Sequence, residues 1–339
     1  MKVFSNYSLL SHNSFGINAL CDEFVEINST GEIKELCAKR FFEGRKTLFL
    51  GGGNNIVFVG NFHGVVVHLT NKGISVVEDT ADHVVINACA GEVWDDFVWH
   101  CLENQRFGLE NLAAIPSSVG AAAVQNIGAY GVEAKDFIEQ VEAIDTATGE
   151  TILFSNADCR FGYRDSVFKH IDKQLVIVSV TFRLKKTPQL NLSYSAINQY
   201  IAKNNIVNPT PKQLARIITD LRWSKLPKPE ETGSVGSFFK NPVVTVSHYE
   251  ALHERFPDIV AYPAAEGYKL AAGWMIEKSG WKGRTLGRAG VYPRQALVLV
   301  NCGGCDGNDV IHLANAVIAD VEAMFGVRLQ PEAIIVGDW

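Results

Sequence analysis

The apolar positions of this chain come mostly in short runs, cut by glycine and polar turns, with a few longer stretches of helical spacing between them. Thr47–Leu50, Ile56–Val59 and Gly64–Leu69 read as strands, rich in β-branched residues. Gly73–Ala90 reads as two strands around the polar turn Asp79–Asp82. Val141–Asp145 and Thr151–Phe154 flank Thr148-Gly149, a hairpin signal. Val176–Leu184, Ala296–Asn301 and Ala333–Val336 are further strands. A turn at Thr30-Gly31 leads into a short helix over Glu32–Lys39. Val93–Gln105 sets Trp94, Phe97, Val98, Cys101 and Leu102 on one helical face. Thr210–Leu221 is a helix capped by Thr210, and Leu270–Ser279 is another. Asn308–Phe325 is an amphipathic helix ended by Gly326. Residues 1–20 carry no strong periodicity. Residues 185–212 are polar and proline-flanked, as a mobile covering loop would be. Trp223–Gly233, rich in Pro, Lys and Glu, reads as a linker and domain boundary.

Two stretches break the apolar pattern. Ile115–Gly131, IPSSVGAAAVQNIGAYG, holds Gly120, Gly128 and Gly131 among alanines and serines, with little bulk for a core. Glycine permits positive φ, so backbone N–H groups can converge on an anion. Gln125 and Asn126 add amide donors and Tyr130 a hydroxyl. A tight helix–turn packing site fits the same composition. The second stretch, Gly51-Gly52-Gly53-Asn54-Asn55, lies between two strands. It lacks the Gly-Lys-Ser/Thr ending of a phosphate-binding loop and the third glycine of a dinucleotide fingerprint. Exposed donors for a ligand and a long hairpin turn both remain open for it.

Composition narrows the class. The 339 residues are 47% hydrophobic and 20% charged, which fits a soluble globular protein of two or three domains. A formal net charge of −6 without a basic cluster argues against nucleic acid as a partner. No apolar run is long enough to span a membrane, and the first residues lack the apolar core of a signal peptide. Seven scattered cysteines fit reduced thiols in the cytoplasm. Cys302-Gly-Gly-Cys305 has the spacing of a redox or half-zinc motif but no second ligand pair, so a plain loop is expected and no metal. Three polar residues stand in odd settings. Arg164 lies among Phe161, Tyr163 and Phe168; it can present its fork to an anion or pair with Asp165. Ser237 follows Gly236, and Glu332 follows Pro331 beside an apolar strand; a turn and a surface cap are the plain alternatives.

Seven stretches taken together carry a resemblance. They are LGGGNN at 50–55, GLENLAAIPSSVGAAAVQNIGAYGVE at 108–133, CRFGYRDSVFKH at 159–170, KLPKP at 225–229, GSFFKNPVV at 236–244, KLAAGWMIE at 269–277 and LQPEAIIVG at 329–337. In this order the chain resembles the UDP-N-acetylenolpyruvoylglucosamine reductase family, flavin enzymes of cell-wall precursor synthesis, and Tyr194 in LSYSAI matches its longer type. The resemblance implies an α+β protein: a two-part FAD-binding fold of the vanillyl-alcohol-oxidase type plus a smaller α+β substrate-binding domain. The expected division is 1–72 (with 335–339 packing back), 73–225 and 226–334.

The implied reaction is NADPH-dependent, FAD-mediated reduction of the enol ether of UDP-N-acetylenolpyruvoylglucosamine to the lactyl ether of UDP-N-acetylmuramate. A flavin-dependent oxidase of the same superfamily, or a flavoprotein that only shuttles electrons, is the alternative. By resemblance Ser237 protonates the enolate carbon, while Arg164 and Glu332 attend the carboxylate and the enolate. FAD contacts are expected from Leu50, Gly51, Gly52, Gly53, Asn54 and Asn55, from Ile115, Pro116, Ser117, Gly120, Gln125, Asn126, Gly128, Ala129 and Gly131, and from Ile177. Tyr194, Lys225 and Asn241 match substrate-holding positions, with Tyr130 and Gln295 in the same pocket. Two departures stand out: a glycine at 52 inside the flavin loop, and Ser117-Ser118 where the family favours proline and glycine. Expected partners are small molecules only, for a monomeric cytoplasmic enzyme serving cell shape and division.

Overall fold

The computed structural model describes residues 1–228, 231–337. The chain forms two compact units, each drawing on separate stretches. The first comprises Met1–Tyr7, Cys21–Gly52 and His63–Ser224. The second comprises Ser8–Leu20, Gly53–Phe62 and Lys225–Trp339, less the four residues not described.

In the first unit, a five-stranded antiparallel sheet runs in the order Thr151–Ser155, Ile138–Asp145, Leu175–Lys185, His83–Cys89, Ile74–Asp79. Alternation along His83–Cys89 turns Val84, Ile86 and Ala88 inward. There they join the helix Trp94–Glu103, which buries Trp94, Phe97, Val98, Cys101 and Leu102, the face expected from spacing. A four-stranded sheet orders Lys2–Ser8, Leu20–Ile27, Phe62–Leu69 and Thr47–Leu50. Its last pair is parallel, with Leu50 opposite His68, so the chain leaves Leu50 for the glycine loop.

In the second unit, Ser234–Ser237 pairs with Val298–Asn301, which pairs with Ala289–Val291 and, through it, with Thr285–Leu286. The helix Gly307–Phe325 buries Val310, Leu313, Ala314, Val317, Ile318 and Val321. Asp306 and Asp309 close a capping box at its start, and Gly326 in the left-handed region (φ 67°) ends it. Ile334–Val336 lies parallel to Ile56–Phe58.

Several sequence expectations are corrected. Residues 1–20 carry no strong periodicity, yet Lys2–Ser8 is a strand that the sequence did not reveal, almost wholly exposed and so without apolar alternation. The glycine loop is not a hairpin turn, because its flanking strands pair with other partners, Thr47–Leu50 with Phe62–Leu69 and Ile56–Phe58 with Ile334–Val336. The polar stretch before Thr210 is not one covering loop. It contains the helix Ser195–Lys203, fixed by buried Ile197 and by the Tyr200 hydroxyl donating to Asp220 (2.6 Å). Thr210 caps the next helix, but that helix runs over Pro211–Lys225, so Trp223–Lys225 are helical rather than linker. The linker expectation also falls on residues 229–230, and the C-terminal one on 338–339, outside the described residues. Val246–Arg255 is a helix that spacing did not reveal, and Leu270 ends a strand rather than starting a helix. The α+β reading itself holds.

Candidate active site

In the first unit, Gly51 and the Ile115–Gly131 stretch meet. A Cβ on Gly51 would come 2.5 Å from Ser118 Oγ, so a larger residue would have to displace that hydroxyl. Ser118 is the N-cap of the helix Val119–Gln125, its Oγ accepting from Ala121 N (3.3 Å). Composition allows backbone N–H groups of the 115–131 stretch to converge on an anion, with tight packing as the alternative. Within the helix the first N–H groups are paired: Val119 N donates to Glu92 O (2.9 Å), Gly120 N to Ala90 O (2.9 Å) and Ala122 N to Ser118 O (2.8 Å). Gly120 packs against Ala90, where a Cβ would come within 2.8 Å. Donors with no acceptor among the described residues include the N–H groups of Gly51, Gly52, Ser117 and Ser118, and the buried Gln125 Nε2. Gln125 Oε1 is taken by Lys169.

Asn126 is paired as well. Its side chain is fully buried, its Nδ2 donating to Glu133 (2.9 Å) and Gly162 O (2.8 Å) and its Oδ1 accepting from Lys135 N (3.0 Å). That amide ties the segment to its surroundings, and both of its Nδ2 hydrogens are used in doing so. Ile177 lies in the strand Leu175–Lys185, 8% exposed, within the core cluster; Leu50 ends its strand, buried. Ile115 packs at the edge of that cluster, and Pro116 after it is exposed.

A cationic group stands on the same unit. Gly128–Ala129 and Val132–Glu133 form a small hairpin with Tyr130 and Gly131 at its tip, both at positive φ (50° and 81°), the signature of a type I′ turn. Arg164 is also left-handed (φ 55°), in the tight turn closed by mutual Gly162–Asp165 bonds (3.0 and 3.2 Å). Its Nη2 donates to Gly128 O (2.7 Å), fixing the guanidinium to the Tyr130 hairpin. The Asp165 carboxylate faces His170 Nε2 (2.8 Å). Tyr130 and Tyr194 meet edge to face, centroids 5.2 Å apart. Asn111 Nδ2 donates to both Tyr130 O (3.1 Å) and Asn191 O (3.0 Å), clamping the two tyrosine segments together.

Sequence reasoning missed Arg222. It ends the amphipathic stripe of Pro211–Lys225, four residues after buried Ile218, and its Nε donates to Ala114 O (3.1 Å). A cation continuing a core-facing stripe was the available signal. Burial pushes its pKa below the ordinary guanidinium value; Tyr130 opposes this and Arg164 adds to it. Burial also pushes the Tyr130 phenol upward, with Arg222 opposing and Tyr194 adding. Arg222, Arg164 and Tyr130 therefore act on one another electrostatically and together suit an anion.

In the second unit, Ser237 ends Ser234–Ser237 after a bulge at Gly236 (φ 71°), opposite Val298. The next carbonyl, Phe238 O, accepts from Glu332 N (2.7 Å), and Lys240 N donates to Gln330 O (2.9 Å). Ser237 and Glu332 thus sit on adjoining backbone segments, both half-buried, neither a free turn nor a surface cap. Asn55 joins them: its Nδ2 donates to Glu332 O (3.1 Å) and its carbonyl accepts from Ile334 N (2.9 Å). Gly53 (φ 64°) lies against the His12 carbonyl, Asn54 follows it, and Gly53 O accepts from Ser14 N (3.0 Å). Asn241 Oδ1 caps the helix Ala272–Lys278 through Ala272 N (3.0 Å). Gln295 Oε1 lies 3.1 Å from where a Cβ on Gly273 would sit in that helix. Lys225 is exposed at the end of its helix. Among the described residues no His/Cys/Asp/Glu group could hold a metal.

Known proteins match both parts. A family model described as the C-terminal domain of UDP-N-acetylenolpyruvoylglucosamine reductase matches residues 228–336, and a FAD-binding domain model matches 22–155. The reductase of that name from Bdellovibrio bacteriovorus is 42% identical over 98% of this chain and 99% of its own length. That from Shewanella oneidensis is 44% identical over 98% and 96%. This chain belongs to the UDP-N-acetylenolpyruvoylglucosamine reductase family. The Thermus caldophilus reductase, 20% identical, has the same fold, with a TM-score of 0.66 over 99% of this chain and 98% of that one.

Members of this family are FAD-dependent oxidoreductases, and the first unit fits that cofactor. The FAD-binding match spans the Gly51 turn and the 115–131 stretch. Four acceptor-less N–H groups at Gly51, Gly52, Ser117 and Ser118 can take phosphate oxygens, and the orphaned Gln125 Nε2 is a buried donor for a polar edge.

Proposed function

We propose that this chain reduces UDP-N-acetylenolpyruvoylglucosamine to UDP-N-acetylmuramate with NADPH as reductant, as a monomeric cytoplasmic enzyme of cell-wall precursor synthesis. The observation that carries the reading is the Phe238–Glu332 backbone bond, which sets Ser237 and Glu332 on neighbouring segments of one unit. A hydroxyl and a carboxylate so placed suit the handling of a proton and a developing enolate. FAD, when bound, supplies the hydride chemistry. Gly51, Gly52, Ser117, Ser118 and Gln125 would hold it, with Gly53, Asn54 and Asn55 continuing the loop.

Ser237 Oγ holds the proton for the enolate carbon. Serine is a weak acid, so its alkoxide must be reprotonated promptly, and Glu332 is the adjoining group for that. Arg164, fixed by Gly128 O, offers its fork to a carboxylate. Arg222 adds a second cation beside Tyr130. Tyr194, Lys225 and Asn241 are assigned to the diphosphate and sugar, with Tyr130 and Gln295 supporting them. Division into 1–72, 73–225 and 226–334 belongs to the same reading. No helix among the described residues is long and apolar enough to cross a membrane. Family membership favours a reductase over an oxidase or an electron shuttle.

Two half-reactions test Ser237 against itself. In Ser237→Ala, NADPH should bleach the flavin at nearly the parent rate. Recovery of flavin absorbance with the enolpyruvyl substrate should fall by about 10²–10⁴-fold, the usual worth of a general acid. Equal slowing of both halves would leave the acid role unsupported, and slowing of neither would return Ser237 to a turn residue.

A further inference from the structure

The Cys302-Gly-Gly-Cys305 loop is left unused by that chemistry. It joins the strand Val298–Asn301 to the helix Gly307–Phe325. Both intervening glycines have positive φ, 116° and 62°, and they fold the chain back on itself. As a result Asn301 Oδ1 accepts from both Gly303 N (2.9 Å) and Cys305 N (3.1 Å). Cys302 is exposed and Cys305 buried, and both are free thiols. Cys302 Sγ packs on Gly290, 2.9 Å from where a Cβ there would sit, and the buried Cys305 Sγ donates to Asp306 O at 3.3 Å.

The same asparagine reaches further. Asn301 Nδ2 donates to Phe15 O (3.0 Å), and Asn301 N donates to Gly233 O (2.9 Å). One residue away, Ser14 N donates to Gly53 O (3.0 Å) and Ser14 Oγ to Ser234 O (2.6 Å). A continuous set of bonds within the second unit thus links the cysteine loop to Gly53 of the glycine loop and to the strand that ends in Ser237.

We propose that Cys302 and Cys305 are a thiol–disulfide pair that reacts with a low-molecular-weight disulfide and, through Asn301, loosens the glycine loop when oxidised. The exposed Cys302 thiolate attacks one sulfur of the external disulfide, forming a mixed disulfide and releasing one thiol. Cys305, as thiolate, attacks Cys302 Sγ, forming the internal bond and releasing the second thiol. Two protein thiols are oxidised, one external disulfide is reduced, and both protons leave on the released thiols. Burial pushes Cys302 upward and holds Cys305 at about 12, so the exposed residue starts the reaction and the rate rises with pH. Closing the ring draws Cys305 off Asp306 O and breaks the shared grip of Asn301. The effect on flavin rests on the assignment of the Gly53 loop above; the disulfide does not.

The flavin-loaded protein is treated with oxidised glutathione at pH 7 and pH 9, and its intact mass and flavin release are followed. The pair is expected to lose two hydrogens, faster at pH 9, and to release flavin about 2- to 30-fold faster once oxidised, the usual span of such coupling. Cys302→Ser should show neither change. Cys305→Ser should stop at the glutathione adduct. A parent protein that keeps the adduct or its full mass overturns the pair. A closed disulfide with unchanged flavin release overturns the coupling through Asn301 alone.

Discussion

The two units solve the same backbone problem in opposite ways. Ten non-glycine residues have positive φ among the described residues, and all ten lie in the first unit. In the second unit, glycines alone occupy that region, among them Gly53, Gly236, Gly267 and Gly326. A side chain in the left-handed region costs roughly 1–2 kcal/mol, and glycine avoids it. The first unit bears this cost at Tyr130 and Arg164, the residues proposed above to meet an anion. The hairpin tip wants Asn-Gly and has Tyr-Gly. In the second unit the proposed acid is Ser237, and the awkward angle falls on Gly236 before it, so the serine keeps an ordinary strand conformation. A fixed cation needs a strained turn held from several sides; a hydroxyl on a strand needs only its register.

The largest expected effect tests whether the second unit's glycines serve handedness alone. Gly53→Ala carries the φ penalty and an overlap with the His12 carbonyl, so it should cost about 2–5 kcal/mol in urea unfolding. Gly236→Ala has nothing within 4 Å and should cost only about 1–2 kcal/mol. Equal losses would mean that the close approach at Gly53 is unimportant.

Strain at Arg164 is measured by Arg164→Gly against Arg164→Ala. Both lose the fork and should lose substrate turnover, but glycine should be the more stable by about 1 kcal/mol. The order reverses at a strand or helix site, so a more stable alanine would remove the contrast between the units. Tyr194→Phe should weaken sugar-nucleotide binding by roughly 5- to 10-fold, the worth of one hydrogen bond, with FAD still bound and reducible. Protein purified without flavin would contradict that division of labour.

The smallest effect concerns Glu110. It is 2% exposed, and burial raises its pKa against the bond from Gly108 N. A raised carboxyl pKa means that the folded state holds the proton more tightly than the unfolded one. Its stabilising contribution is complete below the unfolded value and is lost as pH rises through the folded one. Glu110→Gln should therefore flatten the decline in stability as pH rises above the ordinary carboxylate range. Parallel profiles for parent and variant would show that the carboxyl does not titrate there.

Local signals were legible where a residue's reason lies within a few positions. The Val141–Phe154 hairpin, the Thr210 cap and the Gly326 stop are of this kind, and each needs only neighbouring side chains and turn angles. Lys2–Ser8 was not legible, because an exposed edge strand has no apolar alternation to read. Arg222 was not legible either: its partners Tyr130 and Arg164 are 92 and 58 positions away in the chain. Which N–H groups of the Ile115–Gly131 stretch stay unpaired was not legible. Helix N–H groups are free in isolation, but here Ala90 and Glu92 take them, leaving Ser117 and Ser118.

The sequence by itself determined the overall class, most of the periodic segments, the two glycine-rich stretches and the family. Periodicity, turn chemistry and motif order are local or linear properties, and they survive without coordinates. Only the tertiary structure decided which donors remain unpaired, that Asn126 is spent internally and that Arg222 joins the cationic group. It also decided that Glu332 docks on the carbonyl after Ser237. A hydrogen-bonding group has few partners to give, and whether one is left for a ligand depends on what the fold brings beside it.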